Sequence, residues 1–492
     1  MRDEKKKRFR ESEKERKREE RAKIKRDRTK NREYTFVSGF FVVLFLGMIA
    51  YLIYFNVVKS QDFINSPYNT RQDTFSDRVV RGPIISSDGE ILAQTEVDED
   101  GTERRNYPYA NVFAHVVGYD SNGKSGLESE ANFQLLSSHE FFLNQMKNEF
   151  LGWKNQGDTV VSTLNADLQS TAYYALGDTR GAVVALEPST GKIRAMVSKP
   201  DFDPNTIADD WDWLISDETN SSLLNRATQG QYPPGSTYKV VTALDYFRKN
   251  KTFNGFSYLC QGSITKDGHT ISCYNGEVHG QEGFYFAFAH SCNCAFAEIG
   301  TALGGSSLRK TSEDLLFNGK LPLNSYKKSS FALNGKSDVF ELMQTSIGQG
   351  STLVSPMHMA LITSAIANNG VLMKPYLIDH VENNTGDVID TTDTETYKRL
   401  MTKNEATMLG ELMKEVVSSG TASALYGQGY TAAGKTGSAE YDEQGNSHSW
   451  FIGYSNVDDP DLVVAVIVEG GGTGSEAAVP IAAQLFNAYY YD

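Results

Sequence analysis

Hydroxyl and lysine side chains at close spacing in the middle of the sequence could carry out acyl transfer. Ser236 is followed three positions later by Lys239, the pattern Ser-x-x-Lys. A serine hydroxyl becomes a good nucleophile only when a base removes its proton. A lysine can be that base when burial or nearby positive charge lowers its pKa. The pair therefore predicts Ser236 as a nucleophile and Lys239 as its base.

Ser-x-x-Lys by itself is a weak signal, because a serine at a helix start is more often a cap followed by a surface lysine. Its context strengthens it. A Pro-Pro-Gly break precedes the motif, and the spacing of Val240, Leu244 and Phe247 predicts a helix from Ser236 onward. Lys239 would then lie on a neighbouring face of the first turn.

A second motif, Ser291-Cys292-Asn293, stands between an apolar run and a helical pattern. Ser291 could relay a proton between Lys239 and a leaving group, as a third catalytic residue. The amide of Asn293 could hold a substrate peptide carbonyl. The same three residues also fit an ordinary helix start with a capping serine.

The third motif, Lys435-Thr436-Gly437-Ser438, is flanked by small residues typical of a strand that a substrate backbone approaches closely. Lys435 supplies positive charge, and the hydroxyls of Thr436 and Ser438 can bind a carboxylate. The backbone N–H groups of Ser236 and Ser438 could form an oxyanion hole. The predicted substrate-binding residues are Asn293, Lys435, Thr436, Gly437 and Ser438.

Residues 429–436 also satisfy the phosphate-loop pattern G-x-x-x-x-G-K-[ST]. A phosphate loop follows a buried strand and opens a helix. Residues 419–424 do not have the pattern of a core strand, and a turn is expected over 442–446. We therefore expect no nucleotide binding. A Ser-His-Asp hydrolase is also disfavoured, since the sequence has no G-x-S-x-G elbow.

Charge is distributed unevenly along the 492 residues, whose net charge is −14. Residues 1–33 carry 17 Lys or Arg against 9 Asp or Glu and form a predicted charged tail. The apolar stretch 34–58 is long enough to cross a hydrocarbon core of about 30 Å as a helix. A cleaved signal peptide would have a shorter apolar region that ends in small residues. The basic excess predicts a cytoplasmic N-terminus and an extracytoplasmic remainder.

The rest of the chain divides into two predicted domains. Residues 59–157 alternate short apolar runs with turn residues, which predicts an extended, strand-rich pedestal domain. Residues 158–492 interleave strands and helices, which predicts one α/β (α+β) domain with helices covering a largely antiparallel sheet.

Four cysteines lie within a short stretch, at positions 260, 273, 292 and 294. Outside the membrane a disulfide is permitted, and Cys260 with Cys273 is the best candidate pair. Free structural thiols are an equal alternative. Cys-x-Cys is not a zinc spacing, so no metal site is expected.

The three motifs in this order resemble the signature of β-lactamases and penicillin-binding proteins. The likeness extends over about residues 59–492, so that the chain resembles a monofunctional class B penicillin-binding protein, a peptidoglycan D,D-transpeptidase. The further segments that carry it are Arg81-Gly82-Pro83-Ile84, Gly126-Leu127-Glu128, Pro188-x-Thr190-Gly191, Gly348-Gln349-Gly350 and His448-x-Trp450-Phe451-x-Gly453.

This resemblance implies a reaction and a cellular setting. Ser236 would attack the penultimate D-Ala carbonyl of a stem pentapeptide, and an amino group on a neighbouring strand would resolve the acyl-enzyme into a cross-link. β-Lactams would acylate the same serine. The resemblance implies no metal or organic cofactor and no nucleic acid. It implies a single-pass anchor in the bacterial cell membrane and a SEDS-type glycosyltransferase as membrane partner.

Two other functions fit part of the pattern. A β-lactamase would hydrolyse rather than transfer, but a secreted hydrolase needs neither an anchor nor a long spacer. A β-lactam-sensing receptor would need a cytoplasmic output domain, which a 33-residue charged tail hardly provides.

Overall fold

The computed structural model describes residues 2–55, 76–442 and 444–491. The chain divides into two compact units, Met1–Asn69 and Thr70–Asp492. In the first unit the described residues form one long helix, α1 (Arg2–Tyr54). Its apolar part is long and apolar enough to cross a membrane, by length and composition. The end of the predicted anchor, residues 56–58, lies outside the described residues.

The N-terminal part of the second unit contains short strands and short helices. The strands are β1 (Val79–Val80), β2 (Ile84–Ile85), β3 (Ile91–Val97), β4 (Glu103–Asn106), β5 (Asn155–Gln156) and β6 (Thr159–Ser162). The helices are a 3-10 turn (Ala110–Phe113), α2 (Ala114–Val117), α3 (Gly126–Glu130), α4 (Asn132–Leu135) and α5 (Phe142–Leu151). The predicted strand-rich pedestal therefore contains helical segments as well.

The rest of the second unit interleaves helices and strands. Its strands are β7 (Gly181–Leu186), β8 (Ile193–Lys199), β9 (Tyr258–Cys260), β10 (Ser263–Lys266), β11 (His269–Ser272), β12 (Gly280–Glu282), β13 (Val371–Met373), β14 (Ile378–Glu382), β15 (Val388–Thr391), β16 (Thr396–Arg399), β17 (Ala432–Glu440), β18 (Ser447–Ser455) and β19 (Val463–Val468). Its helices are α6 (Ala166–Leu176), α7 (Ile207–Ser216), α8 (Arg226–Gln229), α9 (Lys239–Asn250), α10 (Phe284–Ala289), α11 (Asn293–Leu303), α12 (Gly305–Asp314), α13 (Val339–Ser346), α14 (Pro356–Ala367), α15 (Lys403–Ser418) and α16 (Val479–Tyr491).

A five-stranded sheet of order β17-β18-β19-β7-β8 forms the centre of this region. Every neighbouring pair of its strands is antiparallel. β7 and β19 are buried at every residue, because helices cover the sheet: α14 contacts β7 and β19, α6 contacts β8, and α16 contacts β19. The predicted antiparallel sheet covered by helices is confirmed.

A six-stranded sheet of order β15-β14-β6-β2-β3-β4 crosses the predicted domain boundary at residue 157. β2 pairs in parallel with β6, and β6 pairs antiparallel with β14. Strands from both predicted domains thus share one sheet within a single compact unit. The division at residue 157 stays a prediction.

A buried ion cluster holds the pedestal segments together. The carboxylate of Glu128 accepts hydrogen bonds from Nε of Arg81 and from Nε of Arg105, each at 2.7 Å. The side chain of Glu128 is fully buried, and those of the two arginines are 8% and 5% exposed. Burial by itself would raise the pKa of Glu128, but the guanidinium groups of Arg105 and Arg81 outweigh it and hold that pKa below its ordinary value.

Replacing this carboxylate should destabilise the fold strongly. Glu128→Gln leaves two buried guanidinium groups without a counter-charge, so we expect the free energy of unfolding to fall by about 3–5 kcal/mol. Denaturant unfolding of the full chain measures the loss. Asp98→Asn is the matched control, because Asp98 pairs with Arg104 at 3.4 Å on the exposed surface and its loss should cost less than about 1 kcal/mol. Equal losses in the two variants would contradict this account.

Candidate active site

Ser236 lies on a 3-10 turn, Gly235–Tyr238, that continues directly into α9. It is the one residue of the stretch 234–245 that is not buried. Lys239 is the first residue of α9, and it is fully buried. The predicted helix start is therefore present, and it leaves Ser236 partly exposed.

Glycines bring strand β17 close to this turn. A Cβ at Gly235 would lie 2.7 Å from the carbonyl oxygen of Ser438, and a Cβ at Gly437 would lie 3.0 Å from Cγ2 of Thr237. Gly235 also has a φ of 53°, a conformation that favours glycine. The close approach brings Ser438 against Gly235, the residue that precedes the predicted nucleophile Ser236.

The ammonium group of Lys239 contacts the second motif. Its Nζ donates to the carbonyl oxygen of Ser291 at 2.6 Å, to Oγ of Ser291 at 3.1 Å and to Oδ1 of Asn293 at 2.8 Å. Burial lowers the pKa of Lys239 to about 8, because the charged form loses its solvation. A neutral form near physiological pH is what a lysine base needs.

The second motif presents its side chains alternately to the site and to the core. Ser291 and Asn293 are partly exposed, whereas Cys292 is buried and caps α11, with its Sγ accepting from the N–H of Ala295 at 3.4 Å. Ser291 has a φ of 58°. Positive φ is uncommon outside glycine, and such residues cluster at functional sites.

Lys435 lies within β17 and is fully buried. Its Nζ donates to Oγ of Ser291 at 3.0 Å and to the carbonyl oxygen of Thr436 at 3.0 Å. Burial, followed by the charge of Lys239, lowers the pKa of Lys435 well below its ordinary value. The hydroxyl of Ser291 therefore stands between two lysines, an arrangement suited to passing a proton.

Two residues that contact the motifs, Thr421 and Trp450, were not predicted from the sequence to have a function in the site. Oγ1 of Thr421 lies 2.5 Å from Oγ1 of Thr436, and Nε1 of Trp450 donates to the carbonyl oxygen of Pro233 at 3.1 Å. Trp450 lies in β18, so this hydrogen bond connects β18 to the segment just before the turn that carries Ser236. Thr421 precedes Thr436 by 15 positions and belongs to no motif, so spacing alone gave no signal for it.

The local structure around Lys435 is not that of a phosphate loop. Lys435 and Thr436 are themselves part of a strand, and residues 423–425 before it form a 3-10 turn. A phosphate loop would instead connect a strand to a helix that starts at the lysine.

Residues 181–487 match the penicillin binding protein transpeptidase domain. The chain belongs to this penicillin-binding protein family. Residues 81–160 match the penicillin binding protein A dimerisation domain. The peptidoglycan D,D-transpeptidase PbpA of Mycolicibacterium smegmatis is 34% identical over 432 residues, which cover 81% of this chain and 86% of that protein. The peptidoglycan D,D-transpeptidase MrdA of Acinetobacter baumannii is 27% identical to this chain. The match covers 76% of this chain and 64% of that protein.

Solved structures agree with this assignment to the penicillin-binding proteins. Penicillin-binding protein A from M. tuberculosis, solved as a ceftriaxone acyl-enzyme complex, has 30% identity and a TM-score of 0.77 over 85% of this chain and 100% of that chain. The D,D-transpeptidase domain of a peptidoglycan glycosyltransferase from Eggerthella lenta has 29% identity and a TM-score of 0.76 over 84% and 98%. The predicted class B penicillin-binding protein and its fold are confirmed.

Proposed function

We propose that this chain cross-links peptidoglycan through an acyl-enzyme on Ser236. The chain is a serine-type D,D-transpeptidase of cell-wall synthesis and binds penicillin. The observation that carries the residue assignment is the meeting of Lys239 and Lys435 on the hydroxyl of Ser291, at 3.1 and 3.0 Å, beside the partly exposed Ser236.

Acylation begins with the neutral form of Lys239, which takes the proton of Ser236. The Ser236 oxygen attacks the penultimate D-Ala carbonyl carbon, and the backbone N–H groups of Ser236 and Ser438 stabilise the oxyanion. The proton then passes from Lys239 by way of the Ser291 hydroxyl to the amide nitrogen of the terminal D-Ala. The peptide bond breaks, and the terminal D-Ala leaves with its new proton.

Strand β17 forms one wall of the substrate site. The hydroxyls of Thr436 and Ser438 bind the terminal carboxylate, and Lys435 supplies the positive field that attracts it. Asn293 has two functions, since its Oδ1 accepts from Lys239 while its Nδ2 donates to the carbonyl oxygen of Ser272 at 3.0 Å. The second N–H of that amide remains for a substrate carbonyl.

Deacylation uses the same groups in reverse order. Lys239 accepts a proton from the amino group of a neighbouring stem peptide, and the amine attacks the ester carbonyl. An amide bond forms, the ester bond breaks, and Ser236 regains its proton.

The rate of acylation by penicillin should rise with pH through about 8. Only neutral Lys239 can accept the proton, and burial places its pKa at about 8. Below that pH the rate should therefore increase about tenfold per pH unit and then level off above it. The rate at each pH is measured by quenching reactions of the full chain with fluorescent penicillin at a series of times. A rate that does not change across this range would exclude Lys239 as the titrating base.

Cross-linking and hydrolysis can be separated with two substrates. Pentapeptide-bearing glycan strands should yield free D-Ala and cross-linked products, whereas a chromogenic cephalosporin should be consumed about once per chain. Fast turnover of the cephalosporin without D-Ala release would identify a β-lactamase and contradict the proposal.

We also propose that α1 anchors the chain in the bacterial cell membrane, with the N-terminus in the cytoplasm and the catalytic region outside. The basic excess of residues 1–33 and the apolar helix that follows support this orientation. A SEDS-type glycosyltransferase is the proposed membrane partner that supplies glycan strands. Protease added to intact protoplasts should digest the catalytic region and spare an N-terminal tag; the opposite pattern would overturn the topology.

A further inference from the structure

Four candidate metal ligands meet directly behind the second motif. Cys260, Cys273, His279 and Cys292 each place one sulfur or ring nitrogen so that all four atoms lie within 4.8 Å of one another. The three cysteines are buried, and the side chain of His279 is 5% exposed. We propose that these four side chains bind one Zn²⁺ ion.

Three of the six distances between the ligand atoms are close to the edges of a tetrahedral site. Sγ of Cys273 lies 3.7 Å from Sγ of Cys260 and 3.7 Å from Sγ of Cys292, and Nδ1 of His279 lies 3.4 Å from Sγ of Cys260. Zn–S bonds of about 2.3 Å and a Zn–N bond of about 2.0–2.1 Å give tetrahedral edges of about 3.8 Å between sulfurs and about 3.6 Å between sulfur and nitrogen. These three pairs of atoms stand at nearly those separations, and the remaining pairs lie within 4.8 Å.

The sulfur arrangement differs from that of a disulfide. All four cysteines are free thiols, and a bonded pair would stand about 2.05 Å apart. Sγ of Cys273 instead contacts three other sulfurs at 3.4 to 3.7 Å, those of Cys260, Cys292 and Cys294. A sulfur with three sulfur neighbours at similar distances is typical of thiolates that share a metal ion. A disulfide would instead pair Cys273 with one cysteine.

Backbone donors around the sulfurs suit thiolates. The N–H of Gly262 donates to Sγ of Cys260 at 3.5 Å, and the N–H of Ala295 donates to Sγ of Cys292 at 3.4 Å. Cys292 also caps the N-terminus of α11, where the helix dipole stabilises negative charge. Such contacts orient metal-bound thiolates and stabilise their charge.

Three sulfur donors and one imidazole nitrogen within 4.8 Å of one another favour zinc over harder divalent ions. Binding would release the protons of the three thiols. Cys294 lies outside the group of four, although its Sγ is 3.4 Å from that of Cys273. The spacing of the cysteines in the sequence gave no reason to expect a metal, because the ligands come together only in the fold.

The ion would position the catalytic second motif. Cys292 stands between Ser291 and Asn293, and both of these side chains hydrogen-bond to Lys239. Fixing Cys292 from the core side would hold its two neighbours against the lysine. The zinc is therefore structural and takes no part in the bonds made and broken at Ser236.

Metal analysis of the full-length chain, purified in detergent without chelator, tests the site. Wild-type chain should contain about one zinc per chain. Cys273→Ser and His279→Ala should each lose it. Cys294→Ser is the matched control and should keep it. Cobalt exchanged into wild-type and Cys294→Ser chain should give the absorption of a tetrahedral cobalt thiolate.

Three results would overturn the proposal: a folded wild-type chain with no zinc, zinc retained by Cys273→Ser, or an intact mass lighter by two hydrogens, which would show a disulfide. If Cys273→Ser does not fold, the cobalt spectrum of the wild-type chain decides, and its absence refutes the site. Metal content is measured without any cross-linking assay, so this test is independent of the proposed function.

Discussion

Replacing Ser236 with alanine is expected to abolish covalent labelling of the chain by fluorescent penicillin. Labelling requires a bond between a side-chain oxygen and the β-lactam carbonyl carbon. No adjacent hydroxyl can take over, because Thr237 is buried and its Oγ1 donates to the carbonyl oxygen of Pro234 at 2.7 Å. The acylation rate should fall on the order of 10⁴-fold or more, to the detection limit.

A serine-to-alanine change elsewhere provides the control. Ser216 is exposed at the end of α7, where its hydroxyl donates to the carbonyl oxygen of Trp213 at 2.9 Å. Ser216→Ala should label at the wild-type rate. Persistent labelling of Ser236→Ala, in a chain with the wild-type unfolding midpoint, would refute the nucleophile assignment.

Replacing Lys239 with alanine should lower the acylation rate constant by about 10²–10⁴-fold, the usual contribution of a general base. The change removes the proton acceptor of Ser236 and also three hydrogen bonds to Ser291 and Asn293. The wild-type acylation rate is expected to rise through about pH 8 because Lys239 loses its proton there. In the variant without this lysine, that rise should be absent. Lys239→Met, which keeps the buried apolar length, should show the same two losses.

Lys249 lies on the same helix and gives a matched control. It is exposed, and its Nζ donates to the carbonyl oxygen of Ala302 at 2.8 Å. Lys249→Ala should acylate at the wild-type rate with the wild-type pH profile. An unchanged rate in folded Lys239→Ala would remove Lys239 as the base and direct attention to Lys435.

Local sequence was sufficient to predict the elements that carry the motifs. The spacing of Val240, Leu244 and Phe247 predicted the helix that begins at Ser236, and all three side chains are buried in α9. The strand predicted around Lys435 from its small flanking residues is present as β17. These predictions succeeded because helix period, strand runs and turn residues depend on a few neighbouring side chains.

Only the tertiary structure decided which distant groups meet. Ser291 and Lys435 are 144 positions apart, yet the hydrogen bond between them is 3.0 Å long. In the same way, Glu128 meets Arg81 across 47 positions. Periodicity within one element says nothing about which other element packs against it, because that depends on how the whole core fills its volume.

The cysteines show this limit most clearly. From spacing alone, a Cys260–Cys273 disulfide and free thiols were equal alternatives, and a metal site was not expected. Cys260, Cys273, His279 and Cys292 converge because the ends of β9 and β11 and the starts of β12 and α11 pack around one point. The sequence by itself determined the family, the motifs and their local elements. The tertiary structure decided the contacts of Lys239 and Lys435 with Ser291 and the gathering of the three cysteines and His279, since both depend on packing between elements far apart in the chain.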